Sequence, residues 1–284
     1  MKTVTQKAWG KLNLTLDVLG KRPDGYHEMQ MIMQSVDLCD DVTVSVTEQG
    51  GWVCTCDAGD VPAGLDNLAL KAASVFCRHL GVHPEGLFVS IVKRIPMQGG
   101  MAGGSADAAA VFHALNEIYG MPFSVEQLMQ MAQSLGSDVP YCILGGTALA
   151  EGRGELLSRL PDMPKCAYVL VRPRFSVSTP ALFRQLDENV IPHHPDTNRA
   201  VSFLQKGDLP GFCSCMYNVF QPILAEQYPV IDDICRELNL YGSLASCLTG
   251  TGSVVFGVFA HRAQAALAAE KLRDRYTVFV VENV

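Results

Sequence analysis

Apolar and polar residues alternate along the first part of the chain. From residue 3 to residue 18, the even positions from 12 onward carry leucine or valine, and the odd positions carry side chains that include Lys11 and Asn13. A period of two residues is typical of a β-strand. The pattern therefore predicts an opening strand on which Lys11 and Asn13 share a face.

Turn chemistry follows that strand. The stretch KRPDGYHE, residues 21–28, contains Pro-Asp-Gly, and apolar-rich stretches come next at residues 29–36 and 41–48. We expect these stretches to form two further strands of a meander. Residues 87–96, LFVSIVKRIP, predict another strand, which leads into a glycine-rich segment.

Helical periodicity, with apolar residues three and four apart, appears on both sides of that segment. Residues 66–81 carry an apolar stripe, with Asp66 at the expected N-cap and Gly81 at the expected end. Residues 105–119 predict an amphipathic helix directly after the glycines.

A second signature of a helix start lies further along the chain. Ser124 and Gln127 predict a capping box at the start of a helix over residues 124–136. Prolines at 161 and 164 then indicate a linker, so we expect an N-terminal domain over residues 1–160 and a C-terminal domain over 165–284. The C-terminal part predicts an α+β layer. Its expected helices are 179–188, 196–205, 229–239 and 261–274, and its expected strands are 167–173, 253–260 and 276–281.

Composition narrows the partners. The chain has 284 residues, a formal net charge of −7 and no long run of lysine or arginine, which argues against a nucleic-acid or acidic-membrane surface. The N-terminal stretch alternates instead of forming an apolar core, so we expect neither a signal peptide nor a membrane anchor, and a cytoplasmic protein. The sequence does not indicate an oligomeric state.

The ten cysteines do not predict a metal site. Two C-x-C pairs occur, at 54/56 and 213/215, but neither has the C-x-x-C spacing of zinc sites. We therefore expect reduced thiols and assign no protein metal ligand with certainty.

The glycine-rich segment PMQGGMAGGSADAAA, residues 96–110, stands between a predicted strand and a predicted helix. Amides at a helix start lack intrahelical partners, and glycines allow several of them to converge on one phosphate group. The alternative is a flexible loop capped by Ser105. A Walker loop is excluded because Ser105 follows Gly104 where the lysine would stand, and G-x-G-x-x-G also fails.

This segment resembles the glycine loop of the GHMP small-molecule kinases. Four other stretches, residues 11–40, 134–140, 172–183 and 248–259, are similar to stretches of that family in the same order over almost the whole chain. The resemblance implies an α+β fold in two domains. The N-terminal domain would be ribosomal protein S5 domain 2-like, and the C-terminal domain would be a ferredoxin-like α/β layer. It also implies ATP and Mg²⁺ as cofactors.

In detail the stretches resemble the branch of the family that acts on a cytidine diphosphate substrate. The implied reaction moves the γ-phosphoryl group of ATP to the 2-hydroxyl of 4-diphosphocytidyl-2-C-methyl-D-erythritol, in the non-mevalonate route to isoprenoid precursors. Another GHMP kinase, of the mevalonate or homoserine type, and a nucleotide-binding regulatory homologue are the alternatives.

The resemblance assigns catalytic roles to Asp138 and Lys11. Asp138 in SLGSDVP matches the family's general base, and Lys11 matches its catalytic lysine. An ionised carboxylate can accept the proton of the attacking hydroxyl, and a nearby cation can orient that hydroxyl or stabilise charge on the phosphoryl group. Taken alone, Lys11 could equally be a charge on a solvated strand face, and Asp138 a turn residue.

The resemblance also implies the residues that bind ATP. They are Pro96, Gly99, Gly100, Met101, Ala102, Gly103, Gly104, Ser105, Ala106 and, near adenine, Asn67. Alanine at 102 predicts a position without a strongly positive φ, because a Cβ disfavours that region. Ser105 is the one plausible protein contact for Mg²⁺, which ATP phosphates and water would otherwise hold.

For the second substrate the resemblance implies contacts from Asn13, Tyr26, His27, Thr179 and Phe183. Tyr26 and His27 match residues that hold the cytidine, and Phe183 matches an aromatic that stacks on the base. The alternative for Phe183 is core packing on a short helix. LTGTG, residues 248–252, resembles a second glycine loop of the family.

Overall fold

A computed structural model describes residues 1–58 and 66–284. The chain divides into two compact units, and each is assembled from separate segments. The first unit contains Met1–Gly10, Leu38–Met97 and Ala102–Gly145, and the second contains Lys11–Asp37, Gln98–Met101 and Gly146–Val284. The expected domain boundary at residues 160–165 would instead divide the chain into two continuous segments. That boundary stays a prediction.

Ten strands form in the described part of the chain. They are β1 Lys2–Lys21, β2 His27–Thr47, β3 Gly51–Cys56, β4 Gly86–Val92, β5 Thr147–Gly152, β6 Leu156–Arg159, β7 Ala167–Arg172, β8 Ala245–Leu248, β9 Val255–Phe259 and β10 Thr277–Glu282. The helices are α1 Leu68–Leu80, α2 Gly103–Ile118, α3 Val125–Ala132, α4 Asp138–Leu144, α5 Thr179–Glu188, α6 Thr197–Gln205, α7 Leu209–Cys213, α8 Phe220–Gln227, α9 Val230–Leu240 and α10 Arg262–Glu270.

In the first unit, β4 lies between β2 and β3 and pairs with both. Residues 41–47 of β2 run antiparallel to β4, and β3 runs parallel to it. Helices α1 and α2 pack together, and Phe76 of α1 forms edge-on ring contacts with Phe112 and Phe123 at 6.3 and 5.3 Å between centroids. This aromatic cluster packs α1 against α2, whose first residues belong to the glycine-rich segment.

The second unit contains a four-stranded antiparallel sheet in the order β10-β7-β9-β8. Strand β9 is buried along its whole length, which matches its uninterrupted apolar sequence. In the same unit, residues 29–34 of β2 pair with β5, and β5 pairs with β6. The polar face of β1 is buried from Lys11 to Asp17, with Lys11 and Asn13 4% and 1% exposed.

Several predicted elements are confirmed. The opening strand forms, α5 has the predicted bounds, and the capping box of Ser124 and Gln127 is present at α3. Gly81 ends α1 with φ 73°, as its permissive backbone allows.

Other predictions were wrong in detail. The two strands expected over 29–36 and 41–48 are one continuous strand, β2, because the four residues between them stay extended and form no turn. The N-cap of α1 is Asn67 and not Asp66. The pattern did not indicate β3, β5, β6, β8, α4, α7 or α8, which are short and lack a distinct period. Within the described ranges, no helix is both long enough and apolar enough to span a bilayer.

Candidate active site

The glycine loop turns sharply before α2. Gln98, Gly100 and Ala102 all have positive φ, at 55°, 77° and 58°. The expectation that Ala102 avoids such a conformation was therefore wrong. Ala102 is the N-cap of α2 and its side chain accepts no hydrogen bond, so the first amides of the helix are not capped by a side chain. Uncapped amides at a helix start favour an anion.

The second glycine loop packs directly against part of the first within the second unit. A Cβ on Gly100 would lie 2.2 Å from the carbonyl oxygen of Thr249, so only glycine fits this close backbone approach. The amide of Val254 donates to the carbonyl of Gly99 at 3.3 Å. Residues 249–254 therefore support the loop through backbone contacts.

Asn218 holds that second loop in place and was missed by sequence reasoning. Its side-chain amide nitrogen donates to the carbonyl oxygens of Leu248 and Gly250, both at 2.8 Å, and its oxygen accepts from the amide of Phe220 at 2.9 Å. The residue is 1% exposed. A single asparagine outside any glycine motif carries no sequence signal for this role.

Lys11 and Asn13 meet the same loops. Lys11 Nζ donates to Asn13 Oδ1 at 2.5 Å, and the Lys11 amide donates to the carbonyl of Met101 at 3.2 Å. The Asn13 amide donates to Thr249 Oγ1 at 3.0 Å. The burial of Lys11 excludes the alternative of a charge on a solvated strand face.

Asp138 lies in the other unit. It is half-buried at the first turn of α4, so it belongs to a helix and not to an open turn. Lys11 is part of the second unit and Asp138 part of the first, so neither unit by itself contains both predicted catalytic residues.

A buried ion cluster stands beside the start of α2 in the first unit. Lys93 Nζ donates to Asp40 Oδ2 at 2.5 Å and to Asp107 Oδ2 at 2.8 Å, and none of the three side chains is more than 8% exposed. A Cβ on Gly103 would lie 3.2 Å from Lys93 Nζ, so the ammonium group touches the loop. Sequence reasoning missed this cluster, although a lysine in an apolar strand and an aspartate in an alanine-rich helix were visible signals.

Burial raises the pKa of Asp107 to about 7, and the charge of Asp40 adds to this shift while Lys93 opposes it. One ammonium group faces two carboxylates, so the cluster would carry an excess negative charge away from water if both were ionised, which favours the protonated form of Asp107. Asp107 Oδ1 is buried without a hydrogen-bond partner among the described residues.

Asn67, expected near adenine, has a structural role at the start of α1. Its side-chain oxygen accepts from the amide of Ala69 at 2.8 Å, and the residue is 5% exposed. An N-cap of this type stabilises a helix by about 1 kcal/mol. A contact with adenine stays a prediction.

The residues expected around cytidine gather in the second unit. The rings of His27 and Phe183 lie 4.7 Å apart, and Phe183 contacts Phe220 edge-on at 4.9 Å. Tyr26 is 57% exposed, and the guanidinium of Arg153 lies 4.7 Å from the centre of its ring. Phe183 is thus both partly packed and in contact with the predicted base-reading histidine.

Thr179 connects this group to the second glycine loop. Its hydroxyl lies 3.0 Å from that of Thr251. Together with Thr249 and Gly250, the loop therefore joins the predicted cytidine residues to Asn13 through contacts within one unit.

No group of three or more acidic, histidine or cysteine side chains in the described ranges could hold a metal ion by itself. Ser105, in the first turn of α2, is half-buried.

Two family models match the chain in order. The model described as GHMP kinases N terminal domain matches residues 67–146, and the model described as GHMP kinases C terminal matches residues 200–278. Together they account for more than half of the chain. The chain belongs to the GHMP kinase family.

Relatives of high similarity share one name. The chain is 40% identical to 4-diphosphocytidyl-2-C-methyl-D-erythritol kinase of Acetivibrio thermocellus over 100% of both chains. It is 41% identical to the protein of that name in Pelotomaculum thermopropionicum, over 95% of this chain and 94% of the relative. A crystal structure of 4-(cytidine 5'-diphospho)-2C-methyl-D-erythritol kinase superposes with a TM-score of 0.83 and 28% identity, covering 99% of each chain.

The family membership confirms the two-domain α+β fold that the resemblance implied. It also makes this GHMP kinase an ATP-dependent enzyme that phosphorylates a small molecule. The roles of individual residues rest on the geometry above and remain proposals.

Proposed function

We propose that this GHMP kinase transfers the γ-phosphoryl group of ATP to the 2-hydroxyl of 4-diphosphocytidyl-2-C-methyl-D-erythritol, a step of the non-mevalonate route to isoprenoid precursors. The observation that carries the proposal is identity of about 40% over the full length with relatives of that name. We expect the reaction to occur in the cytoplasm, on a soluble substrate, without nucleic-acid or membrane partners.

The glycine loop is proposed to hold the triphosphate. The backbone turns into α2 through positive φ values at Gly100 and Ala102. The N-cap residue, Ala102, has no side chain that can accept a hydrogen bond from the first amides of the helix. Such amides bind phosphate oxygens well, and glycine at 103 and 104 lets the phosphate come close. In this proposal Pro96, Gly99, Met101, Ser105 and Ala106 complete the loop.

Asp138 is proposed to accept the proton of the attacking hydroxyl, and Lys11 to orient that hydroxyl. The hydrogen bond from Lys11 to Asn13 supports the second assignment, because it fixes the ammonium group on a buried strand face. A fixed cation needs little reorganisation when negative charge develops in the transition state.

Mg²⁺ fits the available donors only as an ion held mainly by ATP. The described residues contain no group of three or more acidic, histidine or cysteine side chains that could hold it, whereas the half-buried hydroxyl of Ser105 can supply one oxygen. Mg²⁺ keeps several waters and prefers phosphate oxygens. When bound, it would neutralise charge on the β- and γ-phosphates.

Kinases acting on mevalonate or homoserine are the alternative within the family. Their substrates carry no nucleobase, so they have no use for a contact such as that between His27 and Phe183. Retention of both Lys11 and Asp138 argues against a regulatory homologue, because binding alone needs the loop but no base.

A coupled ADP-release assay tests the proposal. Purified protein with MgATP should turn over the diphosphocytidyl substrate, with mevalonate and homoserine giving background rates. Equal or faster turnover of either competitor would show that the substrate assignment is wrong.

The general base has its own test. Asp138→Ala should lower kcat by about 10²- to 10⁴-fold, the usual contribution of a positioned base, while the Kd for ATP changes little. The matched control is Asp162→Ala, which removes an exposed carboxylate from the linker. An Asp138 variant that turns over like the wild type would remove the assignment.

A further inference from the structure

Asp187 near the end of α5 connects two residues from the opening strands. Its Oδ1 accepts a hydrogen bond from His27 Nε2 at 2.7 Å, and its Oδ2 accepts one from Lys21 Nζ at 2.5 Å. The side chain of His27 is 11% exposed, whereas that of Asp187 is 28% exposed. The carboxylate therefore stands behind the one imidazole expected to read the base.

The carboxylate settles which imidazole nitrogen carries a hydrogen. The hydrogen bonds from His27 and from Lys21 lower the pKa of Asp187. An ionised carboxylate can only accept, so His27 Nε2 must donate. The ammonium group of Lys21 is paired with the same carboxylate. The negative charge of Asp187 is therefore balanced even when the imidazole of His27 is neutral.

The other ring nitrogen is left available. In a neutral imidazole with its hydrogen on Nε2, Nδ1 is an acceptor. Among the described residues His27 Nδ1 has no hydrogen-bond partner, and Phe183 packs against the ring at 4.7 Å. The imidazole is therefore fixed in tautomer by Asp187 and fixed in place by an aromatic neighbour.

We propose that Asp187 is a positioning residue that determines the choice of nucleobase. By keeping the hydrogen of His27 on Nε2, it leaves Nδ1 as an acceptor for the 4-amino group of cytosine. Uracil has a carbonyl oxygen at that position, and two acceptors facing each other repel. This inference rests on the proposed function, since it concerns the base of the same substrate.

Binding of two diphosphates tests the idea without relying on turnover. Calorimetric Kd values for CDP and UDP should show at least a tenfold preference for CDP in the wild type. Asp187→Ala should reduce that preference about tenfold, because one hydrogen bond to the base is no longer oriented. Asp187→Glu keeps the carboxylate and should restore most of the preference.

The matched control is Glu188→Gln, which removes the neighbouring exposed carboxylate of the same helix and should keep the wild-type preference. Thermal midpoints measured in parallel identify any variant that has lost its fold. Equal weakening of CDP and UDP binding in Asp187→Ala, with an unchanged ratio, would overturn the inference by showing a merely structural role.

Turnover separates this inference from the proposed function. If the wild-type protein phosphorylates the diphosphocytidyl substrate but binds CDP and UDP equally, the proposed role of Asp187 is wrong and the proposed function is unaffected. Wild-type protein with no such turnover and no CDP binding would instead remove the function on which the inference depends.

Discussion

At the scale of single residues, Ala102 is the most unusual position of the glycine loop. Its φ of 58° lies in the left-handed region, which costs a residue with a Cβ about 1–2 kcal/mol. The protein keeps this strain at the point where the chain enters α2. Strain of this kind at a loop that binds a ligand fixes the direction of the amides that follow.

Replacing that alanine should therefore stabilise the protein. Ala102→Gly relieves the strain but gives the unfolded chain more freedom, so we expect a net gain of up to about 1 kcal/mol in the free energy of unfolding. Ala106→Gly, four residues later inside α2, should instead cost about 1 kcal/mol. Urea unfolding of both variants gives the comparison, and equal losses in the two would contradict the strain at 102.

At the scale of elements, the start of α2 is where the fold and the proposed chemistry meet. Gly100 and Gly104 stand on either side of it, yet their surroundings differ. A Cβ on Gly100 would collide with the Thr249 carbonyl at 2.2 Å, whereas a Cβ on Gly104 would meet no atom within 4 Å among the described residues beyond its chain neighbours and its own helix backbone. Packing against the protein therefore does not require glycine at position 104.

Gly104→Ala should separate stability from ATP binding. Alanine favours a helix by about 0.5–1 kcal/mol over glycine, so unfolding should become no easier. The added methyl group would obstruct a phosphate that contacts the amide, so KM for ATP should rise about tenfold. Gly100→Ala should instead destabilise the protein by about 2 kcal/mol. An unchanged KM in Gly104→Ala would contradict a phosphate at this position.

The ion cluster that links β2, α2 and the residue after β4 makes stability depend on pH. The pKa of Asp107 is raised to about 7 by burial, while an unfolded aspartate has a pKa of about 3.9. The folded protein therefore binds an extra proton between these values, so this residue's contribution to stability is present at low pH and is lost as pH rises through about 7.

Asp107→Asn should remove that dependence. Between pH 5.5 and 7.5 the free energy of unfolding of the wild type should fall by about 1–2 kcal/mol relative to the variant. Asp233→Asn, which alters an exposed carboxylate on α9, serves as the control. Parallel pH profiles of the wild type and Asp107→Asn would show that the buried carboxyl is not the source.

At the scale of the whole molecule, charge works against the ligands. The protein has a formal net charge of −7, and both ATP and a cytidine diphosphate substrate are anions. Repulsion from distant charges is screened over about 8 Å at physiological salt, so binding depends on groups within the site. We propose that the backbone amides of the loop and the ammonium group of Lys11 attract the anionic ligands within the site.

Binding at such local sites should stabilise the fold. A ligand at about 100 times its Kd adds about 2.7 kcal/mol, which for a chain of this size raises the thermal midpoint by roughly 5 °C. We expect such shifts with a non-hydrolysable MgATP analogue and with CDP, and none with mevalonate at the same concentration. A midpoint that ignores the ATP analogue would contradict a nucleotide site in the folded protein.

The sequence by itself determined the long periodic elements and the glycine loop. The strand with Lys11 and Asn13, the capping box at Ser124 and the bounds of α5 follow from local periods and caps, which depend on neighbours a few residues away. The glycine loop could be recognised because a phosphate loop needs glycines close together in the chain. The four separated stretches that resemble GHMP kinases could be recognised because each is a continuous piece of sequence.

Only the tertiary structure decided how these residues are supported. Asp187 reaches His27 across 160 positions of the chain, and Asp40 reaches Lys93 across 53, so no local pattern could pair them. The close contact of Gly100 with Thr249 likewise requires both loops to be folded. Local periods are short-ranged, whereas buried polar groups find partners wherever the folded chain brings them, and that is why the loop could be predicted and its supports could not.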